Sequence, residues 1–171
     1  DGIVASRYVA QISTTAAADL KTLTTNRTNN EFDITVSTAS VSASDLNLIN
    51  SKTANAVSMG SVNTVTGAAN DISTLYTAFS NSEVTGLGNE ALTLSDTTLA
   101  IATLNSLNGS TSGVINANTV TTLTGAAATM NTVYTAAGNG EITNLGNEAI
   151  TLDDTTLAIA TLNTLCLLYT S

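Results

Sequence analysis

The stretch GLGNEALTLSDTTLAIATLNSL, residues 86–107, recurs 58 positions later as NLGNEAITLDDTTLAIATLNTL, residues 144–165. The segment TGAANDISTLYTA, residues 66–78, likewise recurs as TGAAATMNTVYTA, residues 124–136. Self-similarity at a fixed period is typical of chains in which each repeat buries its apolar face against the next one. The sequence therefore predicts a repeat solenoid with a 58-residue double repeat.

The double repeat divides into halves of 29 residues. Positions spaced by 29 carry threonine, each followed by an aliphatic residue and then a small polar one, which is typical of a strand with one buried face. The predicted surface ladder comprises Thr35, Thr64, Thr93, Thr122 and Thr151. The predicted inward residues are Val36, Val65, Leu94, Leu123 and Leu152. A flat row of threonines fits an ordered surface such as ice or a crystalline polysaccharide, although threonine also favours any solvent-facing strand.

A helical pattern follows each predicted strand, because apolar residues recur there at spacings of three and four. The first stripe comprises Ala68, Ile72, Leu75 and Phe79, and its repeat comprises Ala126, Met130, Val133 and Ala137. The alternate stripe comprises Ala100, Ile101, Leu104 and Leu107, and its repeat comprises Ala158, Ile159, Leu162 and Leu165. We expect helices to begin at Thr97 and Thr155, and Gly109 and Gly138 to stop helices in the left-handed conformation.

These patterns predict an α/β fold, a solenoid of about five 29-residue strand–helix units with one parallel sheet backed by helices. A parallel β-helix without regular helices is the alternative. Residues 31–165 carry the solenoid repeats. Residues 1–30 are an irregular, partly degenerate unit, in which residues 15–26 resemble the segment from residue 66 at an offset of 52.

The final six residues, CLLYTS, interrupt the repeat and contain the single cysteine. They resemble the translation of a transposon-end sequencing adapter, a contaminant at the ends of metagenomic sequences. We therefore interpret residues 166–171 as a non-native tail. A natural terminal cap is the alternative. Both ends of the chain are interpreted as cuts through a longer array, since Asp1 is no start methionine.

Charge and composition exclude several partners. The net charge is −9, and the only basic residues are Arg7, Lys21, Arg27 and Lys52. Binding to nucleic acid requires basic side chains that neutralise phosphates, and residues 53–171 have none. The sequence contains no run of 18 apolar residues, so it predicts no membrane span. The acidic balance favours cations as ligands.

The sequence predicts no enzymatic activity. There is no histidine, no GxSxG motif and no phosphate-binding loop. Two carboxylate pairs are conceivable, Glu83 with Glu90 and Glu141 with Glu148. Because these acids recur with the repeat, we interpret them as residues that serve turn geometry or solubility.

Three aspartates are the candidate calcium ligands, Asp96, Asp153 and Asp154, since they follow predicted strands and carry hard oxygen ligands. The chain lacks both an EF-hand loop and a GGxGxD nonapeptide. Helix capping by these aspartates is therefore the favoured interpretation, with calcium binding as the alternative. No other cofactor is expected.

The segments beginning at Gly86 and Asn144 resemble the Thr- and Ala-rich tandem repeats of very large bacterial surface or secreted proteins, adhesin-like and often marine. The resemblance covers residues 31–165 and implies an extracellular structural role as a stalk or display segment. A module that binds calcium or a glycan is the alternative function. The partners expected are neighbouring repeats of the same chain and a glycan or cell surface, with self-association through uncapped ends.

Overall fold

The structure is a computed structural model that describes residues 11–24 and 31–169. Arg7 and Arg27 therefore lie outside the described residues, as do most of the predicted irregular unit and the last two residues of the predicted tail. The described residues form twelve strands and six helices, with one to three strands before each helix. The helices are α1 (Ala17–Leu20), α2 (Ala43–Asn50), α3 (Ala69–Ser80), α4 (Ile101–Asn108), α5 (Ala127–Gly138) and α6 (Ile159–Tyr169).

The strands are short and every pairing between them is parallel. They are β1 (Gln11–Thr15), β2 (Asp33–Val36), β3 (Ser40–Ser42), β4 (Val57–Ser58), β5 (Thr64–Gly67), β6 (Val84–Thr85), β7 (Ala91–Leu94), β8 (Thr98–Ala100), β9 (Ile115–Asn116), β10 (Thr122–Gly125), β11 (Ile142–Thr143) and β12 (Ala149–Leu152). Sheet I has the order β1-β2-β4-β6, sheet II β3-β5-β7-β9-β11, and sheet III β8-β10-β12.

The predicted inward residues of the strands are confirmed. Val36, Val65, Leu94 and Leu123 are all buried, and Leu152 is half-buried. Parallel strands require a crossover connection, and the helices supply several of these connections. The α/β class with parallel strands backed by helices is therefore confirmed.

The helices bury the apolar stripes that the sequence predicts, with small shifts. In α3, Ile72 and Leu75 are fully buried and Phe79 is half-buried, while Tyr76 completes the inner face. In α4, the buried residues are Ile101, Leu104 and Leu107. Each helix contacts the next one along the chain, from α1 to α6. The core accordingly lies between the row of helices and the sheets.

The predicted single sheet with a 29-residue register is wrong. Val41 pairs with Val65 and Val65 with Leu92, so two steps across sheet II advance the chain by 51 residues, from position 41 to position 92. The sequence repeat of 58 is seven residues longer than this. Strand β7 is the repeat equivalent of β2, but β3 begins seven residues after β2. This difference of seven residues places β7 in the same sheet as β3 and not in the sheet of β2. Equivalent strands thus fall in three different sheets.

The helix boundaries also differ from those predicted. Strand β8 occupies residues 98–100, so α4 begins at Ile101 rather than Thr97, and α6 begins at Ile159 rather than Thr155. The predicted stops are in place, since Gly109 follows α4 and Gly138 ends α5. Gly109 is nevertheless right-handed, with a φ of −76°. The left-handed residue after α5 is Gly140, with a φ of +81°.

The two ends of the described chain are built differently. Helix α1 has four residues and buries Ala17 and Leu20, which agrees with a shortened helical unit at the offset of 52. At the other end, residues 166–169 of the predicted tail continue α6, and Leu168 and Tyr169 pack against the core. Within residues 11–24 and 31–169, no helix is both long enough and apolar enough to span a bilayer.

Candidate functional site

Aspartates that follow the sheet strands cap helices of the preceding turn of the chain. The Asp96 carboxylate accepts a hydrogen bond of 2.7 Å from the backbone N–H of Ala69, the first residue of α3. Asp154 accepts a bond of 2.8 Å from Ala127, the first residue of α5. First-turn amides lack partners within their own helix, and the helix dipole favours a carboxylate there. Asp96 and Asp154 therefore do cap helices, but the prediction that they cap the helices that follow them is wrong, since each caps the preceding long helix.

The third metal candidate is arranged differently. Asp153 is exposed, and its backbone N–H donates to the Gly125 carbonyl oxygen at 3.3 Å. In the part of the chain that the structure describes, no three acidic, histidine or cysteine residues come together in a way that would hold a metal ion. The carboxylates of Asp96 and Asp154 therefore serve the backbone of this protein, and the alternative of calcium ligation is a hypothesis for experiment.

The threonines of the predicted ladder do not pair with one another. Thr64 pairs with Ser40 and Ala91, and Thr93 pairs with Thr66 rather than with Thr64. Thr35 lies in sheet I, whereas Thr122 and Thr151 lie in sheet III. The ladder is broken because the strands pair at intervals shorter than the 29-residue half-repeat. A continuous row along these five positions is consequently absent.

A different polar row crosses sheet II. Its members pair in sequence across all five strands, and each alternates with a buried aliphatic residue, so that the row faces outward. The row comprises Ser42, Thr66, Thr93, Asn116 and Thr143. Adjacent members are spaced by roughly 4.8 Å, the distance between neighbouring strands. Sequence reasoning missed this row because its members come from different positions of the repeat.

Two buried glutamates organise the turns before β7 and β12. Glu90 is 1% exposed, and its carboxylate accepts hydrogen bonds from the backbone N–H groups of Gly88 at 2.8 Å and Asn89 at 3.1 Å. The hydroxyl of Tyr76, on α3, donates to the same carboxylate. Buried carboxylates are tolerated where each oxygen is hydrogen-bonded in this way. Glu90 therefore fixes the turn to the helix before it.

The second copy repeats this arrangement. Glu148 is 3% exposed and accepts hydrogen bonds of 2.9 Å from both the Tyr134 hydroxyl and the Gly146 backbone N–H. Burial, followed by the adjacent glutamate, raises the pKa of Tyr134 well above its ordinary value, and the same causes raise the pKa of Tyr76. Both tyrosines are thus held as neutral donors. Tyrosine and glutamate recur together 14 residues apart, which is the signal that could have identified the pair.

The two members of each conceivable catalytic pair of glutamates form hydrogen bonds with different groups. The Glu83 carboxylate accepts from the Asn50 amide at 3.1 Å, and the Glu141 carboxylate accepts from the Asn108 amide at 2.8 Å. Glu90 and Glu148 are instead bound to turn amides, as described above. The interpretation that these acids serve turn geometry is therefore confirmed for Glu90 and Glu148.

A hydroxyl closes each of these turns from the following part of the chain. The Thr111 hydroxyl donates to the backbone carbonyl of Glu90 at 2.7 Å. Position 169 is the repeat equivalent of position 111, and the Tyr169 hydroxyl donates to the carbonyl of Glu148, also at 2.7 Å. The Tyr169 ring packs edge-on against Tyr134 with centroids 5.7 Å apart. The recurring polar groups of this site all bind the backbone or each other.

The chain matches no protein-family model, and comparison with the curated proteins and with the solved structures gives no match to either.

Proposed function

We propose that this chain is a repeat solenoid that acts as a passive structural segment, a stalk or display module of a large extracellular, adhesin-like protein. The observation that carries the proposal is the use made of recurring polar side chains. Asp96 binds the start of the preceding long helix, Glu90 binds its own turn, and Thr111 binds the turn before it. The Asp96 and Thr111 contacts join neighbouring coils, and such contacts between neighbours are what stabilises a stacked array.

The strand pairing supports the solenoid itself. Paired residues on neighbouring strands lie 21 to 27 residues apart, from Thr15 with Val36 to Thr64 with Ala91. Helices of 12 residues, α3 and α5, lie behind the strands, which favours a solenoid with regular helices over a parallel β-helix. Each coil then contributes strands and one helix to a stack that lengthens in one direction.

The extracellular setting rests on the resemblance to the tandem repeats of bacterial surface proteins. An acidic chain with 43% hydrophobic residues and almost no basic ones builds a thin aliphatic core under a weakly charged, hydroxyl-rich surface. Such a surface suits a spacer that has to avoid nucleic acid and anionic membrane.

A second candidate function is binding to an ordered surface such as a crystalline polysaccharide. The row Ser42, Thr66, Thr93, Asn116 and Thr143 favours it, because five polar side chains stand in register on adjacent strands. Sedimentation of the chain with crystalline polysaccharide, compared with a Thr66→Val and Thr93→Val variant, tests this candidate. Equal recovery of both proteins in the pellet would exclude a specific role for the row.

The stalk proposal is tested by measuring rigidity. Spin labels are placed on the single cysteine, Cys166, and on Ser37→Cys, both of which are exposed. A rigid spacer gives one narrow distance distribution by electron double resonance, with the same mean and the same melting temperature in calcium and in EDTA. A broad distribution contradicts the stalk. A shift of several degrees in melting temperature with calcium supports the ligand-binding alternative.

A further inference from the structure

The end of the described chain presents an apolar face that is covered elsewhere in the same molecule. Ile159 is 77% exposed and Leu162 is 41% exposed, although their repeat equivalents Ile101 and Leu104 are 1% and 0% exposed. The ten residues from Asp96 and from Asp154 have the same sequence, DTTLAIATLN. The interior copy therefore shows which chemical groups cover this sequence when it is buried.

The first group is a strand. In the interior copy, Thr98 pairs with Thr122 and Leu99 with Leu123, so that β8 forms against β10. Residues 156–158, which repeat β8, are not in a strand. The same three residues thus form a strand where a partner strand lies beside them, and they have no such partner at the end of the described chain.

The second group is the junction of β10 with α5. A Cβ atom placed on Gly125 would lie 2.7 Å from the Cγ2 atom of Ile101, closer than side-chain contacts allow. Helix α4 contacts both α3 and α5, and Ile101 is buried beneath this glycine. The Ile159 side chain, in contrast, is exposed to solvent. A coil that covers Ile159 in the same way needs glycine at this point.

The third group is a loop. Residues 112–113 lie against the turn of Glu90, where the Ser112 N–H donates to the Gly88 carbonyl at 2.9 Å and Gly113 has no room for a side chain. The repeat equivalents of these two residues, 170–171, lie outside the described residues. This contact is therefore described for the interior copy alone.

We propose that residues 156–158 and the start of α6 form a docking face for one further repeat coil of the interior type. The occupant is a polypeptide with the chemistry of residues 114–143, which supplies a Thr-Leu-Thr-Gly strand and an alanine-rich helix. The inference rests on the proposed solenoid and adds to it the identity of the partner. The strand and the glycine come from one continuous segment, and their contacts are visible in the interior copy.

The glycine requirement makes the face selective. Thr15 pairs with Val36 as Gly67 pairs with Leu94, so Thr15 occupies the glycine position in the first described coil. Gly67 and Gly125 have φ values of +133° and +134°, which glycine adopts far more readily than threonine. The first coil of a second chain would bring a branched side chain towards Ile159. Repeat coils are therefore accepted, and head-to-tail stacking of whole chains is disfavoured.

The test uses the full chain and an extended chain, in which residues 1–165 are followed directly by residues 108–171. Ile159→Ala is introduced into both, with Ile101→Ala as the matched control. In the full chain, Ile159→Ala should lower the melting temperature by less than about 2 °C, because the side chain is exposed. In the extended chain it should lower it by about 6 to 10 °C, as Ile101→Ala does in both.

Hydrogen exchange gives a readout that does not depend on destabilising variants. The amides of residues 156–158 should exchange at least about 100-fold more slowly in the extended chain, as β8 does in both. An equally small effect of Ile159→Ala in both chains, with no protection of these amides, would overturn the docking face. The spin-label distance in the full chain is unaffected by that outcome, so the stalk proposal stands or falls separately.

Selectivity is tested at the appended copy of Gly125. Its replacement by alanine should abolish the protection of residues 156–158, and Ile159→Ala in the same chain should restore part of it. Gly67→Ala is the matched control, since φ is the same but the nearest atoms, on Ala43, are 3.8 and 3.9 Å away. Head-to-tail multimers of the full chain with protected residues 156–158 would overturn the glycine requirement.

Discussion

The sequence DTTLAIATLN occurs twice, from Asp96 and from Asp154, and the two copies adopt different structures. In the interior copy, residues 98–100 form β8 and Leu104 is fully buried. In the terminal copy, residues 156–158 are not in a strand and Leu162 is 41% exposed. Ten identical residues thus differ in conformation, because only the interior copy has a following coil beside it. A short strand of this kind is stabilised by its partner and not by its own sequence.

The comparison also shows what does not depend on the following coil. Leu107 and Leu165 are both buried, and Asp96 and Asp154 both cap a preceding helix. Contacts directed backwards along the chain are preserved in both copies. Contacts directed forwards are lost in the terminal copy. Stability should therefore fall towards the terminal coil, as expected where each unit is stabilised mainly by its neighbours.

The largest expected difference between the copies lies in their leucines. Leu104→Ala removes a fully buried side chain and should lower the free energy of unfolding by about 3 kcal/mol. Leu162→Ala should lower it by about 0.5 kcal/mol, because the side chain is already partly in water. Urea unfolding of both variants measures the difference. Equal losses would show that the two copies are packed alike.

The turn glutamates come next in size. Glu90→Ala leaves the Tyr76 hydroxyl and the N–H groups of Gly88 and Asn89 without their acceptor, and we expect a loss of about 2 to 3 kcal/mol. Glu148→Ala should cost less, since it lies in the terminal coil. A double-mutant cycle with Tyr76→Phe isolates the tyrosine bond. Additive losses would mean that the hydroxyl and the carboxylate do not stabilise each other.

Much of the local structure could be predicted from the repeat. Val36, Val65, Leu94 and Leu123 were predicted to point inward from their strands, and all four do. The period of two for strands and of three to four for helices depends on which face is buried, and burial is what the residue pattern encodes. The parallel α/β class follows from the alternation of these two patterns.

The contacts between coils could not be predicted in the same way. A repeat in sequence shows which residues are equivalent, whereas contact depends on how many residues one coil takes. Thr93 therefore pairs with Thr66 and not with Thr64, and Asp96 caps α3 and not α4. Both errors arise because residues on paired strands lie 21 to 27 positions apart, while the half-repeat is 29 residues long. The number of residues in one coil depends on its turns and its packing. Neither produces a periodic residue pattern from which that number could be predicted.

Alkaline pH should weaken the two tyrosine contacts together. The pKa values of Tyr76 and Tyr134 are raised in the folded state, so their stabilisation is complete below about pH 10 and is lost as the pH rises above it. Each should cost about 1.4 kcal/mol per pH unit in this range, because the unfolded tyrosine ionises first. Melting temperatures from pH 8 to 11.5 measure the loss. The Tyr76→Phe and Tyr134→Phe double variant should show a shallower decline, and an unchanged slope would contradict the assignment.

The caps should differ by a smaller amount. Asp96→Ala leaves the Ala69 N–H without a side-chain acceptor and should cost about 1 kcal/mol. Asp154→Ala should cost less, since Asp154 is exposed and its coil is terminal. Asp96→Asn retains an acceptor oxygen and should recover most of the loss. Chemical unfolding of the three variants in EDTA measures these effects without metal. A loss for Asp96→Asn as large as that for Asp96→Ala would argue that charge matters more than the hydrogen bond.

The smallest effect concerns Tyr169, which stands where the interior copy has Thr111. Both hydroxyls donate to a glutamate carbonyl at 2.7 Å, but only Tyr169 also packs its ring against Tyr134. Tyr169→Phe keeps the ring contact and removes the bond, and should cost roughly 0.5 kcal/mol. Tyr169→Thr keeps a hydroxyl and removes the ring, and should cost more if residues 166–169 act as a lid over Tyr134. Thermal melts decide between them. If both variants and the chain ending at Leu165 melt together, the tail contributes no packing and its place in α6 is only a continuation of the helix.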